Sequence, residues 1–133
     1  MLVGLSEQVY NLGTIYGDVM EDFKLLNKSK MLLKYLEEYV LVNIPKVHSS
    51  YRVGLENNII ELNCNIIRAN INTGSIRNKY QKEVLVNIAM IDLYLDLILD
   101  INVINKKKFI SSIRMLNEIR KMTNSWIVNE KNY

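Results

Sequence analysis

Seven basic residues form the clearest pattern that could do chemistry in this chain, and that chemistry is anion binding. Lys107, Arg114 and Lys121 are spaced seven apart, so on a helix they lie along one stripe. Such a stripe suits a phosphate backbone, where each neutralised phosphate adds salt-dependent affinity. The alternative is an ordinary solvent-exposed face, because lysines mostly lie in water. The other four candidate phosphate ligands are Lys46, Arg52, Lys79 and Lys82.

Three aspartates form a second charged pattern. Asp92, Asp96 and Asp100 follow each other at intervals of four residues, which places three carboxylates on one helix face. Like charges at this spacing destabilise a helix by about 0.2–0.5 kcal/mol per pair unless something neutralises them. A solvated acidic face is the favoured interpretation. The alternatives are a subunit contact with a basic helix and a divalent metal site.

The chain lacks the residues for a zinc centre or a catalytic constellation. One histidine, His48, and one cysteine, Cys64, cannot build a zinc site with the usual ligands. The five glycines are scattered and form no phosphate-binding loop. His48 has no nucleophile motif near it and is interpreted as a loop residue with a structural or binding role. The sequence therefore predicts a protein that is not an enzyme and needs no cofactor.

Composition favours one soluble helical domain. The chain has 133 residues, of which 49% are hydrophobic and 23% charged, with a single proline. So few turn residues favour helices over an all-β fold. A formal charge of +3 permits nucleic-acid binding without requiring it. No stretch has the apolar length of a membrane span or a signal peptide, and we expect a cytoplasmic protein.

The elements that position the charged residues are predicted from apolar residues spaced three to four apart, which is the helical period. The predicted helices cover about residues 7–26, 29–43, 51–72, 75–103 and 106–127. Pro45 ends the second helix, Gly74 suits a left-handed position after the third, and Ser75 suits the N-cap of the fourth. The connection between the last two helices is tight, which predicts an antiparallel pair.

The predicted core follows one stripe on each of the last three helices. The core stripes comprise Leu55, Ile59, Leu62, Ile66 and Ala69, then Tyr80, Val84, Ile88, Ile91, Leu95 and Ile98, and finally Phe109, Ser112, Leu116, Ile119, Thr123 and Trp126. We expect Ile60, Cys64, Ile67 and Ile71 to widen the first of these stripes. The predicted fold class is all-α: an antiparallel four-helix bundle over residues 22–128. An extension over 1–21, helical or partly disordered, precedes it, and a tail over 129–133 follows it.

Three stretches of the chain resemble one known family. They are residues 44–52, where an apolar-Pro-basic loop precedes Tyr51-Arg52, then Lys79-Tyr80, and the ending 116–127 with its Ser-Trp pair. Their order and spacing, over about residues 22–127, are similar to the four-helix-bundle family of the accessory variability determinant of diversity-generating retroelements. That family is related to bundle proteins encoded in ribosomal-RNA intervening sequences. Asn124 stands where the family has a glycine before Ser-Trp.

The resemblance implies a non-enzymatic accessory protein. It implies a barrel-like homopentamer of four-helix protomers that binds nucleic acid and a reverse transcriptase and supports mutagenic reverse transcription. Lys46, Arg52, Lys79 and Lys121 match basic positions of the family, whereas Lys82, Lys107 and Arg114 come from the charge pattern alone. Two alternatives are a stand-alone bundle with a different protein or ribosomal-RNA-related partner, and a plain oligomerisation module that binds no nucleic acid.

Overall fold

The described part of the chain is built from long α-helices. A computed structural model describes the backbone of residues 17–131 and the side chains of residues 24–130. The long helices are α1 (Gly17–Tyr39), α2 (Ser49–Ile71), α3 (Gly74–Asp100) and α4 (Lys106–Lys131). Two short 3-10 helices, Leu41–Asn43 and Lys46–His48, connect α1 to α2, and the described residues contain no strand. The predicted all-α fold class is confirmed.

The helices pack in a cyclic order around one core. Helix α1 contacts α2 and α4, and α3 contacts the same two helices, with the most extensive contact between α2 and α3. Within the described residues, α1 does not pack on α3 and α2 does not pack on α4, so each of these pairs is diagonal in the bundle. None of the described helices is both long and apolar enough to span a membrane.

The predicted core stripes are largely confirmed. All five stripe residues of α2 are buried, as are those of α3 and α4 except Tyr80 and Phe109, which are half-buried against the core. The stripes are found where they were predicted because a period of 3.6 residues keeps every third or fourth side chain on one helix face.

The predicted break between the first two helices is absent from α1. This helix runs through Ser29, which is fully buried, with its hydroxyl 3.0 Å from the Leu26 carbonyl and 2.7 Å from Asn63 Oδ1 of α2. These two partners let a polar residue lie inside the helix interface. Residues 7–16 of the predicted first helix lie outside the described residues. At its other end α1 stops at Tyr39, which is half exposed.

The helix connections follow the predicted turn chemistry only in part. Gly74 has the expected left-handed backbone, with φ of 62°. The prediction of Ser75 as N-cap is wrong, because α3 begins one residue earlier with Thr73 at the N-cap. The short turn after α3 contains Asn102 at φ 61°, a conformation that asparagine tolerates. Asn105 Oδ1 then accepts a hydrogen bond of 2.8 Å from the Lys108 backbone N–H and caps α4.

Three isoleucines of α2 are not in the core, contrary to the prediction. Ile60, Ile67 and Ile71 are exposed, and Cys64 is half-buried. The physical reason is that neighbouring helix residues point about 100° apart. Since Ile59 points into the core, Ile60 is turned out of it.

A set of asparagines fixes how α2 packs against α3. The Nδ2 group of buried Asn65 donates to Asn87 Oδ1 at 2.8 Å, and Asn87 Nδ2 donates to Asn58 Oδ1 at 3.4 Å. Arg68 donates to Asn65 Oδ1 at 2.9 Å and also pairs with Glu61 at 3.1 Å, a hydrogen bond that raises the pKa of the Arg68 guanidinium. Sliding one helix along the other would leave these buried amides without partners.

Candidate nucleic-acid interface

The predicted basic stripe lies on the outer face of α4. Lys107, Arg114 and Lys121 are all exposed, whereas Leu116 and Ile119 of the same helix are fully buried. Lys121 is five residues after Leu116, which turns it about 140° away from the core direction. The stripe therefore points almost directly away from the bundle interior. An exposed stripe is a requirement of phosphate binding and is also what a solvated face would show.

Two of the stripe residues border one shallow groove. Arg114 and Lys121 line a groove of about 550 Å³ together with apolar residues of α4, and Lys107 is not part of its lining. The apolar part of the lining consists of Phe109, Ile110 and Ile113. The groove thus combines two cations with an apolar floor, an arrangement that can contact both phosphate groups and the sugars or bases beside them.

The acidic residue of the groove is already neutralised. Glu118 forms an ion pair with Lys28 of α1, with Nζ and Oε1 2.9 Å apart. Both side chains are about half exposed, so the pair contributes little to stability. Its effect on the groove is electrostatic, because the carboxylate is held by Lys28 and leaves Arg114 and Lys121 without an acidic partner among the described residues.

The other four candidate residues are exposed but lie outside this groove. Lys46 lies in the second 3-10 helix and Arg52 in the first turn of α2, the helix diagonal to α4. Lys79 and Lys82 lie near the start of α3, which packs against α4. The Lys79 ammonium is 5.7 Å from the centroid of the Tyr80 ring, a cation–π distance. The structure therefore brings Arg114 and Lys121 together and places the remaining candidates in separate groups.

Arg77, which neighbours the basic group of α3, serves the fold. Its Nε donates to the carbonyls of Ala69 and Asn72 at 2.9 and 2.7 Å, and its Nη2 donates to the Asn70 carbonyl at 3.1 Å. Its Nη1 pairs with Glu130 at 2.6 Å, and its guanidinium lies 5.6 Å from the Trp126 ring centroid. Arg77 thus satisfies the free carbonyls at the end of α2 and is not available to a ligand.

The aspartate face of α3 is divided by an ion pair. Arg120 of α4 donates to Asp92 Oδ2 at 3.2 Å, so this carboxylate contacts a basic helix of the same chain. Asp96 and Asp100 are exposed and have no ion pair among the described residues. No group of three or more potential metal ligands of the His, Cys, Asp or Glu type occurs over residues 24–130.

Tyr51, beside the candidate ligand Arg52, is already stacked on a neighbouring ring. The rings of Tyr51 and His48 are parallel within 5°, with centroids 5.6 Å apart, and Tyr51 also packs against Tyr94 at 6.4 Å. A base would have to displace His48 to stack on Tyr51. His48 has a packing role in the structure, in agreement with its interpretation as a structural loop residue.

The apolar part of the α4 groove was not predicted as a surface feature. Phe109 was assigned to the core and Ile113 to its flank, and Ile110 received no assignment. Their spacing of one and four residues is a weak signal of an exposed apolar surface, because apolar residues at such positions usually belong to a core.

Comparison with known proteins gives no further guide to the site. No protein-family model matches the chain, and no curated protein or solved structure shows significant similarity to it.

Proposed function

We propose that this protein is a non-enzymatic binding subunit that holds nucleic acid by its phosphate backbone. The observation that supports this proposal is the ion pairing of the basic side chains. Ion pairs with carboxylates of the same chain are formed by Lys28, Arg68, Arg77 and Arg120. The seven candidate ligands are all exposed and form no ion pair within the described residues. Cations that the fold leaves without carboxylates are free to neutralise phosphates.

The dimensions of the α4 stripe agree with backbone binding. Residues spaced seven apart are separated by about 10 Å along a helix axis, so Lys107 and Lys121 span about 21 Å. Phosphates of one duplex strand follow each other every ~3.4 Å along its axis, so the stripe extends over about six of them. The stripe presents no arrangement typical of base-edge reading, and we expect little sequence specificity.

The resemblance described above makes the proposal more specific. We propose that the chain is the cytoplasmic accessory subunit of a diversity-generating retroelement, assembles as a homopentamer, and binds a reverse transcriptase to support mutagenic reverse transcription. The three stretches that carry the resemblance, with matched cations at Lys46, Arg52, Lys79 and Lys121, support this assignment. The alternative is a stand-alone bundle oligomer with a different protein or ribosomal-RNA-related partner. The apolar floor of the α4 groove suits a protein ligand and supports this alternative.

We also propose that neighbouring helices of the bundle are antiparallel. Arg77 near the start of α3 pairs with Glu130 near the end of α4, and Asp92 farther along α3 pairs with the earlier Arg120. The second ion pair thus lies later in α3 and earlier in α4 than the first one. Contacts between two antiparallel helices follow this order. The short connections between successive helices support the same arrangement.

The experiment that tests nucleic-acid binding is a salt titration with matched charge variants. Binding to structured RNA and to duplex DNA is measured for the wild-type chain and for R114Q/K121Q. The control is K30Q/K34Q, which removes the same charge from exposed positions of α1. If R114Q/K121Q loses two phosphate contacts, the plot of log K against log salt becomes less steep by about 1.8. Binding then weakens roughly 60-fold at 0.1 M salt. The control variant should keep the wild-type slope.

Two results would contradict the proposal at different levels. Absence of binding at low salt removes the nucleic-acid role. Equal losses in R114Q/K121Q and K30Q/K34Q show that only net charge matters and remove the groove from the site. A reverse-transcriptase gene beside this one, and co-purification with its product, would support the retroelement assignment. Light scattering on the same sample tests a mass of five chains.

A further inference from the structure

We propose that the outer face of α2 is a self-association surface, and that it pairs antiparallel with the same face of a second copy of this chain. This inference does not depend on the proposed function. It concerns the helix that is diagonal to α4, so an assembly through α2 leaves the basic groove of α4 accessible.

The surface is a continuous apolar stripe, which we call the α2 stripe. Val53, Ile60 and Ile67 are spaced seven apart with exposed fractions of 54%, 43% and 46%, and Ile71 at the helix end is 74% exposed. The positions of the stripe are Val53, Asn57, Ile60, Cys64, Ile67 and Ile71. Their alternating spacing of four and three residues is the repeat that lets one helix pack against another along its length. Isolated exposed apolar residues are common, but a stripe of about 27 Å on one helix indicates a contact surface.

The composition of the stripe argues against a charged ligand. None of its six positions carries a charge, and the one strongly polar side chain among them is Asn57. Phosphates and charged peptides would find no partner there. The opposite side of α2 is locked into the core by Leu55, Ile59, Leu62 and Ile66. The stripe is therefore preformed, so association requires no folding of the helix.

The charges beside the stripe favour a second copy in antiparallel orientation. Glu61 and Arg68 lie along one edge of the stripe, about half exposed, and pair with each other within the helix. The midpoint between Ile60 and Ile67 falls beside Cys64. A two-fold axis at this point places Glu61 of one copy near Arg68 of the other, on both sides of the axis. A parallel pair would instead bring Glu61 near the Glu56 side chain of the second copy, which repels it.

The contact is of modest size. An antiparallel pair centred beside Cys64 overlaps over about 16 residues, or about 24 Å. Two helices in contact over this length bury an area at the low end of specific interfaces. We therefore expect a contact between two copies that forms and dissociates with concentration in the micromolar range. In the proposed pentamer, this two-fold contact would join two assemblies and not neighbouring subunits of one ring.

Cys64 provides a test on the unmodified chain. It is the single cysteine and lies next to the expected axis, so a short bismaleimide can join two chains only through this residue. We expect cross-linked dimers whose yield rises with protein concentration between about 1 and 200 µM. The variant I60E/I67E should lower both the yield and the light-scattering mass, with association weakened at least ~100-fold because charges would enter an apolar contact. The control is L93E, an exposed leucine of α3 that is 49% accessible.

The outcomes separate this inference from the proposed function. Loss of cross-linking in I60E/I67E, with circular dichroism unchanged and L93E behaving like wild type, supports the α2 stripe as the contact. An assembly whose mass is unchanged in I60E/I67E overturns it even if the chain is a pentamer. A wild-type chain that stays monomeric and does not cross-link at 200 µM also overturns it. Nucleic-acid binding is measured separately on each variant, because none of the proposed phosphate ligands belongs to the α2 stripe.

Discussion

Replacing Arg77 with methionine gives the sharpest test of the fold. The guanidinium donates to three backbone carbonyls at the end of α2 and pairs with Glu130 at the far end of α4. The Arg77 side chain is only 12% exposed, and that of Glu130 is 29% exposed. Methionine keeps an unbranched apolar side chain at this position but has no hydrogen-bond donors. The R77M variant therefore removes the polar interactions and leaves much of the packing.

The expected loss in the free energy of unfolding is about 3 kcal/mol. Hydrogen bonds that involve a charged group contribute ~1.5–3 kcal/mol each, and breaking a buried ion pair costs ~3–5 kcal/mol. The lower end applies because Glu130 is partly exposed and can be solvated again. Lysine in place of Arg77 can restore the ion pair but not the fork of donors to the carbonyls. We expect R77K to lose about 1–2 kcal/mol.

Urea unfolding measured by circular dichroism tests this difference. The matched control is R120M, which breaks the ion pair with Asp92 between two side chains that are 35% and 40% exposed. Such a surface pair contributes about 1 kcal/mol or less. The reasoning is refuted if R77M destabilises the chain no more than R120M does, because Arg77 would then contribute no more than a surface pair.

Three further substitutions test the packing by the same unfolding measurement. Alanine at Gly54 would overlap the Tyr94 ring, so G54A should lower the free energy of unfolding by about 1–3 kcal/mol. A gain in stability would contradict the close approach of Gly54 to this ring. N87L leaves buried Asn65 with an unpaired donor and should lower the free energy of unfolding by about 2 kcal/mol. The double variant N65L/N87L should lose less than the sum of the two single variants, and additive losses would contradict the coupling of these residues. The fully buried amide of Gln81 has no hydrogen-bond partner among the residues that the structure describes. Q81L should therefore raise the free energy of unfolding by about 1 kcal/mol, and a loss of stability would contradict this reasoning.

The sequence predicts the core of α2, α3 and α4 because each helix buries one narrow stripe. Leu55, Ile88 and Leu116 are examples whose positions follow from the helical period alone. The period could not show that α2 has a second apolar face. Ile60 follows Ile59 directly, and a pattern of adjacent isoleucines does not say which of them points inward.

Features that depend on contacts between helices were out of reach of the sequence pattern. Ser29 follows the polar pair Asn27-Lys28, and this cluster resembled a break until the structure showed its partner Asn63 on α2. The role of Arg77 likewise depends on contacts that only the structure shows, because its guanidinium joins carbonyls at the end of α2 to Glu130 of α4.

The candidate site was predictable in exposure but not in composition. The spacing of Lys107, Arg114 and Lys121 correctly placed all three on an outward face. That Arg114 and Lys121 share a groove with Ile110 depends on the shape of the surface. The neutralisation of Glu118 by Lys28 required the contact between α1 and α4 and was not visible in the sequence.

The cyclic packing order has a consequence for the kinetics of folding. Three of the four contacting helix pairs are joined by short connections, and only α1 and α4 must meet across the length of the chain. Chains with mostly local contacts fold within microseconds to milliseconds. We expect the hairpin of α2 and α3 to form the nucleus and the docking of α1 on α4 to come last. Removing the Lys28–Glu118 pair should then accelerate unfolding and leave the folding rate unchanged.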